Sequence, residues 1–241
     1  MKTFRHIVIT GASSGIGQAL ALDYAAPGIA LGLGGRDSTR LAIVADACRE
    51  KGATVCADTI DTSDRTAIAD WLTAFDDAHP IDLVVANAGV SLSQNDPGFE
   101  SFDRVRRTMA INVDGVFNTI EPLVGRLIAR RQGQIGLMSS LAAFFGRSTS
   151  SSYSASKAAV RVWGESIRFP LAKDNVGVSV ICPGYVESRM SASLIGAKPF
   201  LVRASRASLI IRQGLAHNRP RIAFPLPLAA AVWLGNLLPR R

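Results

Sequence analysis

The 241 residues hold 27 Lys+Arg and 19 Asp+Glu, a formal net charge of +8, with 48% hydrophobic and 19% charged side chains. That composition excludes a disordered or fibrous chain, and at this length folding buries roughly 70–75% of the unfolded surface, so no disulfide or metal staple is needed. Residues 1–188 carry 18 basic and 19 acidic side chains, whereas 189–241 carry nine basic and none acidic, which argues against a general nucleic-acid binder with Lys and Arg spread along one long face.

Short apolar runs alternate with longer helical patterns. His6–Thr10 reads as a strand, Gly17–Ala26 as a helix ended by Pro27-Gly28, Ile29–Gly34 as a strand and Ser38–Lys51 as a helix. Thr54–Ala57 is the third strand, Arg65–Asp77 a helix and Ile81–Val85 the fourth strand. One long helix is expected over Phe102–Arg131, then a strand over Gly133–Met138, a local loop over Ser148–Ser152, a helix over Tyr153–Leu171 and a strand over Gly177–Ile181. Val202–His217 has apolar Leu209, Ile210 and Leu215 among arginines, an amphipathic helix, and Arg221–Phe224 reads as the seventh strand. Unalternated apolar strands separated by helices specify a parallel sheet covered on both faces. The expectation is α/β: a doubly wound parallel sheet of seven strands in one domain over residues 1–241.

Cys48, Cys56 and Cys182 are unclustered and read as buried small hydrophobes in a reducing cytoplasm, with no metal site. The run Ile7-Val8-Ile9 is too short for a signal peptide. No proline-free run of about 18 uncharged apolar residues offers an ordinary membrane span.

The first strand runs into Thr10-Gly11-Ala12-Ser13-Ser14-Gly15-Ile16-Gly17 and then a helix. Glycines allow a tight turn and close approach of phosphate, and the helix N-terminus offers N–H donors and a partial positive charge. Farther on, Tyr153-Ser154-Ala155-Ser156-Lys157 puts Tyr and Lys on one helix face. Ser140 lies thirteen residues before Tyr153, and Asn112 sits in an apolar helical stretch where it needs buried partners. The T-G-x-x-x-G-x-G turn, Asn87-Ala88-Gly89, Ser140 and Y-x-x-x-K together resemble the short-chain dehydrogenase/reductase family over roughly residues 5–190. The resemblance implies a Rossmann fold and a nicotinamide cofactor held by Gly11, Ser13, Ser14, Gly15, Ile16, Gly17, Asn87, Ala88 and Gly89. It also implies contacts from Tyr153, Lys157, Pro183, Gly184, Val186 and Ser188, an adenine contact from Asp61, and catalysis by Asn112, Ser140, Tyr153 and Lys157. Ala86 stands where a second Asn is frequent, and Ser188 where Thr is commoner.

The second strand ends Gly34-Gly35-Arg36-Asp37. By the resemblance Gly35 takes the place of an acid that bonds the ribose 2′-hydroxyl of NAD, and Arg36 accommodates a 2′-phosphate, so NADP(H) is expected over NAD(H). Asp37 comes one residue too late and begins the turn or caps the next helix.

A phenol titrates near pH 10, too high for acid–base work at neutrality, and the implied role of Lys157 and the nicotinamide charge is to favour the phenolate. Tyr153 then exchanges the proton of a carbonyl/alcohol pair, Ser140 stabilises charge on that oxygen, Lys157 binds the nicotinamide ribose, and Asn112 orders a water that relays protons to Lys157. The family lid is expected at Ser188–Phe200, extended to about 216, with Met190, Leu194, Ile195 and Phe200 facing an apolar substrate; Phe144 and Phe145 read equally as the opposite wall or as core residues.

For the basic, apolar segment over 217–241, three readings stay open. One is a helix packed on the sheet or on another subunit, another is attachment to a membrane surface, and the third is recognition of an anionic handle such as coenzyme A or an acyl-carrier protein. The resulting expectation is an oxidoreductase working as a reductase on a small apolar carbonyl or alcohol substrate, cytoplasmic or peripheral at the membrane surface. It is paired as a homodimer or homotetramer through the helices of 102–131 and 153–171. The alternative is a non-catalytic nucleotide sensor on the same fold, which has no need of Ser140, Tyr153 and Lys157 together.

Overall fold

The structure, a computed structural model, describes residues 1–92, 99–146, 148–194 and 196–235. Seven strands, β1 (His6–Thr10), β2 (Ala30–Gly35), β3 (Thr54–Thr59), β4 (Leu83–Ala86), β5 (Gly133–Met138), β6 (Val176–Pro183) and β7 (Arg221–Phe224), form one parallel sheet in the order β3-β2-β1-β4-β5-β6-β7. The fold class is the one read from the sequence. Successive strand residues face opposite sides. Ile7, Ile9, Leu31 and Leu33 therefore pack with helices α1 (Gly15–Tyr24), α2 (Ser38–Glu50) and α8 (Ala204–Ala216). Val8, Val84, Ile135 and Val178 pack on the other side with α3 (Arg65–Ala78), α5 (Gly115–Arg130) and α6 (Ser151–Ala172).

Several expectations change. The 102–131 stretch is not one regular helix: α4 (Phe102–Met109) and α5 flank a wide turn over Ala110–Asp114. Such a one-turn widening inserts an extra residue between two helices. Cys56 is exposed, unlike Cys48 and Cys182, because β3 is an edge strand and that face is uncovered. Residues 204–216 belong to the body rather than the lid: Ala207, Ile211 and Leu215 of α8 are fully buried, while Leu209 points outward.

β1 and β4 are neighbours, and their following helices leave on opposite faces of the sheet. A crevice opens at such a switch point beyond the carboxyl ends of the strands. Asn87 stitches it, with Nδ2 donating to the Thr10 and Gly11 carbonyls at 2.8 and 3.2 Å. The backbone N–H groups of Asn87 and Ala88 both donate to Thr10 Oγ1 at 3.1 Å.

Candidate active site

A cavity of about 750 Å³ occupies this crevice, within the size range of small-molecule and cofactor sites. One end is built by the turn after β1. Gly11 adopts φ +67°, and an added Cβ would lie 2.9 Å from Ala88 Cα, so only glycine fits. Gly17 does not line the cavity. A Cβ there would lie 2.3 Å from the Gly11 carbonyl oxygen, so its part is to let α1 pack on the turn. Ser13, Ser14, Gly15 and Ile16 do line the cavity. Among the described residues Ser14, at the N-cap of α1, makes no side-chain cap bond. The first-turn N–H donors of α1 and its positive end therefore suit an anionic group, as a dinucleotide pyrophosphate requires.

Arg36 lines the cavity at the end of β2. Asp37 caps α2 through the Arg40 N–H at 2.9 Å and also pairs with the Arg40 guanidinium at 2.9 Å. Arg40 joins the lining, a second cation that sequence reading missed although it stands one helical turn from Arg36. Asp61 does not line the cavity. Its carboxylate accepts from the Ser63 N–H and hydroxyl, while Ile60 and Thr62 form the wall.

Asn87, Ala88 and Gly89 lie along the middle, with Pro183, Gly184, Val186 and Ser188 beyond β6. Val186 pairs with Val202 through its neighbours: Val202 N–H donates to Tyr185 and Glu187 N–H donates to Val202. In parallel pairing that turns the N–H and C=O of Val186 away from Val202. Ser188 caps the short helix α7 (Arg189–Ala192), its hydroxyl accepting the Ser191 N–H at 3.1 Å.

Ser140, Tyr153 and Lys157 meet in the same cavity. Ser140 follows β5, Tyr153 and Lys157 stand on α6, and Ser140 is hydrogen-bonded to Tyr153. Lys157 Nζ donates to the Met138 carbonyl at 2.9 Å. Burial pushes the Tyr153 phenol up, opposed by the Ser140 hydrogen bond, and burial lowers the Lys157 ammonium to about 8. Within the protein alone, burial thus works against the depressed phenol expected from the sequence.

Asn112 is fully buried in the wide turn. Its Oδ1 accepts from the Val90 N–H at 2.8 Å, and Nδ2 donates to the Val90 carbonyl at 2.9 Å and to Ser156 Oγ at 3.0 Å. Both amide protons are committed, so this side chain clamps the chain after β4 to α6, and the expected water relay draws nothing from them.

Of the expected substrate wall, Phe145, Met190 and Leu194 line the cavity. Phe200 is 58% exposed. Phe144 stands instead under Arg161 and Arg221, whose guanidinium carbons lie 4.5 and 5.3 Å from its ring centroid, with Trp233 at its edge. Ile195 lies outside the described residues, as do Arg240 and Arg241. Sequence reading missed Leu228 and Val232, which line the cavity from α9 (Leu226–Gly235). Of the three readings for the terminal segment, packing on the body describes α9, which buries Ala229 against Leu141, Val180 and Cys182.

The sequence profile of the short chain dehydrogenase family matches residues 5–198. An uncharacterized oxidoreductase of Myxococcus xanthus is 33% identical over 238 residues, 98% of this chain and 94% of its own. A 3-oxoacyl-[acyl-carrier-protein] reductase of Aggregatibacter actinomycetemcomitans is 36% identical over 187 residues, 76% of each chain. A solved short-chain dehydrogenase from Sphingobium yanoikuyae in complex with NADPH superposes with a TM-score of 0.85 at 25% identity, covering 96% of this chain and 91% of that one.

Proposed function

The chain belongs to the short-chain dehydrogenase/reductase family and is a nicotinamide-dependent oxidoreductase of the CH–OH group; from that premise we propose that it uses NADP(H) and works as a reductase on the carbonyl of an apolar substrate. The observation that carries this reading is the meeting of Ser140, Tyr153 and Lys157 in a cavity whose wall includes Phe145, Leu194, Leu228 and Val232. Arg36 and Arg40 at the far end support the 2′-phosphate, with Gly35 between them and Ser13 leaving no acid there.

In the proposed reaction Tyr153 gives its phenolic proton to the substrate oxygen as charge develops on it, and the Ser140 hydroxyl donates a hydrogen bond to that oxygen. The Lys157 ammonium, anchored on the Met138 carbonyl, keeps donors for the ribose and stabilises the phenolate left behind. When bound, the nicotinamide would supply the hydride, and its oxidised form would add positive charge to the site. An exposed apolar face with Phe117, Val162 and Phe169 on α5 and α6 supports pairing of two copies there. The test is NADPH oxidation screened over aldehydes, ketones, 3-oxoacyl thioesters and steroid-like ketones. Turnover of an apolar ketone with NADPH is expected, and a preference for NADH would overturn the Arg36 argument.

A second reading concerns where the substrate is met. α9 carries Leu226 and Leu234 at 72% and 64% exposure beside its cavity-lining residues, and Arg189, between the lining residues Ser188 and Met190, is exposed, as are Arg203 and Arg206. An exposed apolar helix together with exposed arginines supports peripheral attachment to an anionic lipid surface. Among the described residues no helix is long and apolar enough to cross a membrane. Pelleting with anionic vesicles at low salt, lost at high salt and in a Leu226→Glu/Leu234→Glu variant, is the expected result. Failure to pellet at low salt removes the reading.

A further inference from the structure

Helix α6 carries Tyr153 in its first turn, yet Ser150 at its N-cap makes no side-chain cap bond among the described residues. The donors at that end are met from elsewhere in the chain. Glu100, 5% exposed, sits just before α4 and accepts three hydrogen bonds: from Ser151 Oγ at 2.7 Å, Ser152 Oγ at 2.6 Å and the Ser152 backbone N–H at 2.9 Å. A buried carboxylate is retained only when its acceptor sites are filled, and one placed at a helix N-terminus complements the helix dipole.

We propose that Glu100 is a positioning residue for catalysis: its carboxylate replaces the missing cap, fixes the first turn of α6 and thereby aims Tyr153 at Ser140 and the substrate oxygen. Ser152, which donates two of the three bonds, is the residue next to Tyr153. Lys157 lies a turn deeper and is held by its own bond to Met138, so loss of Glu100 displaces the phenol more than the ammonium. Burial works against the ionised form of Glu100, but the bonds from Ser152 and Ser151 and the charge of Arg104 outweigh it and hold the carboxyl below its ordinary range. The clamp therefore stays ionised at neutral pH. This inference rests on the assignment of Tyr153 as acid and base.

The experiment uses full-length holoenzyme saturated with NADP+ and follows the ultraviolet phenolate band with pH in wild type, Glu100→Gln and Glu100→Ala, each read against its own Tyr153→Phe background. Both substitutions at 100 remove the charge, but only Gln keeps an acceptor for the Ser152 N–H. The expected result is a Tyr153 titration moved to higher pH in the Ala variant and restored toward wild type by Gln, with NADPH affinity within about threefold in both. Turnover of the ketone that the screen identifies falls roughly tenfold to a hundredfold in the Ala variant, as a small misplacement of a catalytic group does. An unshifted titration in the Ala variant, or an equal shift in Gln and Ala, overturns the positioning role. If the Ala variant does not fold, Ser151→Ala/Ser152→Ala, which keeps the backbone bond alone, carries the same comparison. Should Tyr153→Phe itself retain turnover, the acid–base assignment fails, and that result is distinct from either outcome at Glu100.

Discussion

Lys157 Nζ lies 5.8 Å from the centroid of the Tyr153 ring, one helical turn away on α6, while one of its ammonium protons is donated to the carbonyl that ends β5. The phenol is thus close to a cation, but in a buried setting that raises it. On the proposed mechanism, removing the hydroxyl removes the proton donor and leaves the cation, the glycine turn and Arg36 untouched. Tyr153→Phe is expected to lower kcat by roughly 10²–10⁴-fold, the usual worth of general acid–base catalysis, with NADPH affinity within a few-fold by fluorescence titration. Near-normal turnover would sink the assignment.

The lowered Lys157 ammonium has a consequence for stability. Its folded-state value is about 8 against an ordinary 10.5, so between these values the unfolded chain binds more protons than the folded one. Stability contributed by this group therefore rises with pH across that window, by at most about 1.4 kcal/mol per pH unit, and is flat below it. Chemical denaturation of wild type and Lys157→Met from neutral to alkaline pH checks this. The difference between the two proteins is expected to grow in favour of wild type above pH 8 or so, and parallel curves would contradict it.

On the proposed reading, cofactor choice turns on the end of β2. A hydrogen bond to a charged group contributes about 1.5–3 kcal/mol, so Arg36→Ala is expected to weaken NADPH binding by roughly 10–100-fold and NADH binding little. Gly35→Asp reverses the preference by placing an acid near the ribose. Its Cβ would lie 3.2 Å from Ser13 Cβ, so Ser13 must give by a few tenths of an ångström. Titration of both cofactors against each variant measures the outcome; equal losses of NADH and NADPH in Arg36→Ala would refute the phosphate role.

How legible the site was depended on whether its partners are local in sequence. The glycine turn, Asn87, Ser140 and the Tyr153/Lys157 pair were readable because strand ends and helix spacing place them. The wide turn at Asn112 was not, because hydrophobic periodicity over 102–131 tolerates one extra residue. Cys56 was misjudged because an apolar run does not say whether its strand is at the sheet edge. Phe144 and Phe145 are adjacent, and only the short helical turn over Leu141–Phe144 decides which of them meets the cavity. Glu100 was invisible for the same kind of reason: its partners are 51 and 52 positions away. The basic excess of 189–241 is also smaller in space than in sequence, since Arg212 pairs with Asp23 and Arg221 with Glu165.

The wall contributed by α9 yields a prediction that separates substrate from cofactor. Leu228 lines the cavity, and its Cδ2 lies 2.7 Å from where a Cβ on Gly184 would be, so it packs against the turn after β6. Leu228→Ala removes three carbons from that wall, and each buried CH₂ contributes about 0.8 kcal/mol. kcat/KM for an apolar ketone is expected to fall by up to roughly sixtyfold, carried by KM, with NADPH affinity unchanged. Val232 stands one turn on and faces the same space. Val232→Trp fills part of it, and the prediction is exclusion of bulky ketones with small ones retained. Comparing a series of ketones of increasing size across the two variants tests the assignment. A loss independent of substrate size in Val232→Trp would mean that α9 supports the fold without shaping the pocket.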